Sequence, residues 1–198
     1  MFDKRGDRWS HQVVIANGQQ ETLLLSSLEG DSQQVWPPSP PLQDLDRHEL
    51  LDGAAVLAVG MAGTSHWSAS FSIQRCTRDW KFPADSAQHS LPIPPSANLE
   101  VLADIACFCK GLPPQSTLDM VSSYQIEPGV EVAADENGSI RLTLNARSFR
   151  LAPLSGEGWT SRLECAGSRM TISAGEIKIQ PGKPTRWGFH LGSHLSSI

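Results

Sequence analysis

The chain carries little charge, and what it carries is scattered. Of its 198 residues 19% are Asp, Glu, Lys or Arg, and the net charge is −5. There is no run of Lys or Arg, so a nucleic-acid partner, which needs concentrated positive charge, has no electrostatic support. Long apolar runs are missing too. The longest reach about eight residues, against the roughly 20 that span a bilayer, so no membrane association is expected. The N-terminal stretch MFDKRGDRWSHQ is polar and lacks the apolar region of a secretory signal. With only four cysteines, the expectation is free thiols in a reducing, cytoplasmic setting. The phosphate loop G-x-x-x-x-G-K-[ST], the dinucleotide fingerprint G-x-G-x-x-G and the zinc-hydrolase motif H-E-x-x-H are all absent. Nucleotide chemistry and standard zinc hydrolysis are therefore unsupported, and no cofactor is expected.

What is present is alternation. Residues 64–73 (TSHWSASFSI) put Trp67, Ala69, Phe71 and Ile73 on one side and His66, Ser68, Ser70 and Ser72 on the other. A period of two over that length is a half-buried strand. The preceding run 54–61 (AAVLAVGM) is apolar throughout and reads as its partner across a tight turn. Residues 98–110 form the longest strand pattern, with Leu99, Val101, Ala103, Ile105, Cys107 and Cys109 sharing a face. Asn17-Gly18 and Asp135-Glu136-Asn137-Gly138 lie between apolar segments and predict hairpin turns, because both need positive φ. Further strands are expected near 119–126, 130–134, 139–146, 148–152, 159–164, 169–174, 176–180 and 185–191.

Three segments break the pattern. Residues 35–41 (VWPPSPP) are expected to cross the surface in an extended polyproline form. Residues 42–51, with Pro41 before them and Gly53 after, predict one short helix. Residues 79–97 hold four prolines and many small polar residues, which reads as a long irregular loop. The sum is about 11–13 short strands with turn signals every 8–12 residues, the signature of an all-β antiparallel β-sandwich. The prediction is a single β-sandwich domain over residues 1–198.

Four groups could carry chemistry. His66 and its neighbouring serines lie on an outer strand face, and Asp104 or Glu100 from strand 98–110 could meet His66 there, as a nucleophilic triad requires. No G-x-S-x-G elbow accompanies them, so a solvated sheet face is the plainer reading. Cys107 and Cys109 share a face, and His190 and His194 could complete a zinc tetrad. The C-x-C spacing and the apolar surroundings favour buried thiols instead, so no metal is expected. Trp67, Trp159 and Trp187 sit in alternating segments that place them in a core. Trp36 and Trp80 lie in irregular, Pro-flanked segments where an aromatic ring can stay partly exposed and stack on a ligand. The acidic residues Asp44, Asp46, Glu49 and Asp52, and Asp135 with Glu136, lack the D-x-D-x-D-G spacing of a calcium loop and read as surface.

The leading expectation is a non-enzymatic binding or interaction module with a glycan or protein ligand, using Trp36, His66, Trp80 and Asp104. An enzyme built around His66 and Asp104, and a structural subunit that forms a homo-oligomer, are the alternatives. Fold alone does not decide among them.

Overall fold

The structure, a computed structural model, describes residues 1–17, 20–31, 33–51, 53–76, 98–110, 120–175 and 182–194. Sixteen strands make up this part of the chain: β1 (Phe2–Arg5), β2 (Arg8–Asn17), β3 (Gln20–Ser27), β4 (Asp44–Leu50), β5 (Gly53–Ala62), β6 (Ser65–Cys76), β7 (Asn98–Cys109), β8 (Val121–Ile126), β9 (Glu131–Ala134), β10 (Ile140–Leu144), β11 (Arg147–Pro153), β12 (Ser155–Gly156), β13 (Trp159–Thr160), β14 (Arg162–Ala166), β15 (Arg169–Ser173) and β16 (Thr185–His194). They form a six-stranded sheet in the order β1-β2-β3-β8-β15-β14, an eight-stranded sheet in the order β4-β5-β6-β7-β16-β11-β10-β9, and the small ribbon β12-β13. Every pairing is antiparallel. The two large sheets pack face to face, so the fold is an all-β sandwich. No described helix is long and apolar enough to cross a membrane.

The alternation read from the sequence sets this packing. Trp67, Ala69 and Phe71 of β6, Ala103, Ile105, Cys107 and Cys109 of β7, and Trp187, Phe189 and Leu191 of β16 are buried from the larger sheet. Leu24, Leu25, Tyr124, Met170 and Ile172 meet them from the smaller one. The Trp187 indole donates across the gap to Ser122 Oγ at 2.9 Å, which satisfies its only donor inside the core. The β5–β6 turn is the two-residue Gly63-Thr64 loop. Of its two central residues only Gly63 has positive φ (54°), the pattern of a type II′ turn. Residues 135–138 form the expected hairpin between β9 and β10, with a single 3-10 turn over Glu136–Gly138 and positive φ at Asn137 and Gly138.

Two expectations are corrected. The predicted helix over 42–51 is strand β4, which pairs with β5 along its whole length. There is no α-helix among the described residues, and the strands outnumber the 11–13 expected. A helix over residues 42–51 is too short to hold itself by internal hydrogen bonds, whereas the free edge of β5 offers a full ladder. The charged side chains of β4 line an exposed sheet edge, where charge blocks pairing with another chain.

The proline segment is the second correction. Pro37, Ser39, Pro40, Pro41 and Leu42 are buried rather than on the surface. Proline rings are apolar and bring no N–H that must be paired, so the segment can pass inside the sandwich rim. Ser39 Oγ donates to the Ser123 carbonyl at 3.1 Å, and the Pro38 carbonyl accepts from Ser123 N at 2.9 Å. The segment then passes over Gly60, where an added Cβ would lie 1.5 Å from the Pro41 carbonyl oxygen. The predicted loop at 79–97, the predicted strand at 176–180 and the Gly18 turn position lie outside the described residues.

Candidate functional site

The sandwich is not closed everywhere. Between β1–β2 of the smaller sheet and β4–β7 of the larger one lies a cleft of about 410 Å³. Its walls are Phe2, Val13 and Val14 on one side and Val56, Phe71, Ile73 and Val101 on the other. Ile73 continues the buried row of Trp67, Ala69 and Phe71, yet it is 47% exposed. An inward-facing apolar side chain left this open means that the opposite sheet does not reach it. Pockets of this size with mostly apolar walls and few polar groups are the usual form of small-molecule sites.

The polar side chains in this lining are His11, Gln12 and Arg47, and of these His11 is the buried one. His11 of β2 lines the cleft and is 4% exposed. Its ring lies 4.6 Å from Phe71 and 6.0 Å from Phe2, centroid to centroid. His11 Nε2 is hydrogen-bonded to the Tyr124 hydroxyl at 2.9 Å, while its Nδ1 is buried without a partner. Burial, reinforced by the N-terminal ammonium, lowers the imidazole to about 3, so it is neutral at physiological pH. A neutral histidine there offers a hydrogen bond but no charge.

Behind His11 runs a strip of polar groups. The His11 backbone N–H donates to Ser27 Oγ at 2.8 Å, and the Ser27 hydroxyl donates to Glu29. Burial raises the Glu29 carboxyl, opposed by the Ser27 hydrogen bond and by Arg8 and Arg5. Burial, with Glu29 adding to it, also raises the Tyr124 phenol. At the rim, Arg47 of β4 is the one charged side chain among the described residues that line the cleft, beside the N-terminal ammonium of Met1.

The residues predicted from the sequence fall elsewhere. His66 and Asp104 do share the outer face of the larger sheet. The register sets His66 opposite Phe108 and Asp104 opposite Ser70, four residues along, or about 13 Å at ~3.3 Å per residue. Asp104 instead forms an ion pair with Arg186, and Glu100 pairs with His190 at 3.1 Å. The carboxylate that shares a pocket with His66 is Asp44, in a shallow depression of about 400 Å³ with Gln43, Met61 and Phe108. His66 Nε2 is buried there without a partner.

Trp36 is half-buried and packs edge-on against Trp67 at 6.2 Å, as a lid on the core rather than an open platform. Trp80 lies outside the described residues. Trp159, expected in the core, is half-buried beneath Arg186 at 5.6 Å. Cys107 and Cys109 are buried with their sulfurs 3.9 Å apart, and burial raises the Cys107 thiol. His190 alternates with the inward Phe189 and Leu191 and so lies on the opposite face of the sheet from these thiols. No cluster of three or more metal-ligating side chains exists among the described residues.

His11 escaped the sequence reading because HQVVIA looks like an ordinary strand. The available signal was one histidine at an inward position of an apolar strand, which is more often a satisfied core residue. No known protein family matches the chain, and no curated protein or solved structure is significantly similar to it.

Proposed function

We propose that the protein is a non-enzymatic binding module whose ligand is a small, mainly apolar molecule seated between the two sheets. The observation that supports this reading is the partly exposed inward row around a buried histidine that has one unpartnered nitrogen. A ligand that covers Ile73 and Val56 removes apolar surface from water, at about 25 cal/mol per Å². A single polar atom on it can meet His11 Nδ1, which otherwise stays desolvated and unpaired. The test is titration with N-phenyl-1-naphthylamine, a neutral apolar fluorophore with one N–H. Saturable one-to-one binding is expected, weakened at least tenfold by Ile73→Trp or Val56→Trp, each of which fills the cleft. Absence of saturable binding, or binding unchanged in a filled variant that retains the native circular dichroism, refutes the reading.

A second reading has its own support. On the outer face of the larger sheet, Leu57, Val59 and Met61 form a row of exposed large apolar residues along β5. Contiguous exposed apolar surface suits a protein ligand.

A further inference from the structure

We propose that the ligand of the cleft is an elongated apolar carboxylic acid, with its acid group held by Arg47 at the rim and a polar atom at its far end reaching His11. This rests on the cleft being the binding site.

Arg47 occupies the edge strand of the larger sheet, opposite Val56, which is opposite Phe71. It therefore heads the row that forms one wall of the cleft, with its side chain on the same inward face. An inward charge on an edge strand also deters edge-to-edge pairing, but that role does not require a charge of either sign. Here the sign is positive, and among the described residues no carboxylate side chain lines the cleft.

The present partner of Arg47 is Glu49, at 2.7 Å from Nη2 with both side chains more than two-thirds exposed. An exposed pair of this kind is weak. It engages one of the five N–H groups of a guanidinium whose fork fits a carboxylate. A ligand acid can share or displace Glu49 without burying an unpaired charge. The floor of the cleft favours the same orientation. His11 is neutral there and gives an ionised head no charge of its own to pair with, whereas a hydroxyl or carbonyl can pair with Nδ1. Arg47 and Phe71 are two strands apart, about 10 Å at the ordinary strand spacing, and the His11 ring stacks 4.6 Å from Phe71. An eight-carbon chain spans that distance.

The experiment compares 8-hydroxyoctanoate with 1,8-octanediol, which keeps the length and the far hydroxyl and removes the acid. Calorimetry is run on the native protein, on Arg47→Gln and on Glu49→Gln. The acid is expected to bind at least fivefold tighter than the diol, with Arg47→Gln abolishing the difference and Glu49→Gln widening it. Equal binding of acid and diol, unaffected by either variant, overturns the inference and leaves the apolar cleft standing. Binding of neither compound overturns both.

Discussion

At the residue scale the buried titratable groups make the stability of this protein depend on pH, in two opposite senses. His11 falls from 6.5 unfolded to about 3 folded. Between those values the unfolded chain holds a proton that the folded protein refuses, so acidification favours unfolding by up to about 1.4 kcal/mol per pH unit. Glu29 is raised from 4.5 by burial. It is protonated in the folded state where the unfolded chain is already ionised, so its effect runs the other way. Stability is lost as pH rises from 4.5 through the folded value. Urea unfolding at pH 4, 5, 6 and 7 separates the two. His11→Gln is expected to flatten the acid limb, and Glu29→Gln to raise stability at pH 7 while leaving the His11 slope in place. A wild-type acid limb that persists in His11→Gln refutes the assignment.

At the element scale, what could be read in the sequence followed from how local the cause was. Period-two alternation identified β6 and β7, because solvent on one side and core on the other is enough to impose it. Asp135 to Gly138 revealed a hairpin because positive φ selects its residues. The strands of the next hairpin were expected at 139–146 and 148–152, but its turn was missed for the same reason inverted. Asn145 and Ala146 join β10 to β11 with φ of 50° and 62°, but alanine gives no turn signal, and a left-handed alanine is strained by roughly 1–2 kcal/mol. Ala146→Gly is therefore expected to stabilise the protein by up to about 1 kcal/mol, since glycine's greater freedom when unfolded takes part of the gain back. Equilibrium unfolding measures this directly.

β4 was misread because its state depends on a neighbour. The same seven residues could have formed a helical turn, and the open edge of β5 decided. The burial of Pro37 to Leu42 was equally non-local, set by Ser123 more than 80 residues away in sequence. The cleft belongs to this class too. Ile73 reads as a core residue from its own strand, and only the position of the opposite sheet leaves it open.

At the scale of the whole molecule, one hydrophobic cluster draws on both sheets, and away from the cleft access to it requires the sandwich to part. Cys107 and Cys109 face that interior, while Cys165 on β14 is exposed. In native buffer a maleimide is expected to label Cys165 readily. It should reach Cys107 and Cys109 only at the rate of global unfolding, rising with denaturant as the unfolded population does. Mass spectrometry of the labelled peptides checks it. Early labelling of Cys107 would mean that the larger sheet opens locally.

The position of β16 in the larger sheet sets the order in which the protein can be completed. It lies between β7 and β11, yet of the sixteen strands it is the last to be synthesised. Until it emerges from the ribosome, β4–β7 and β9–β11 are two separate half-sheets, each with a raw inner edge, and the inward faces of β7 and β11 lack the Trp187 and Phe189 rings that cover them. The larger sheet therefore stays open along its middle until β16 joins it. A stop codon anywhere before residue 185 leaves the larger sheet divided at its centre.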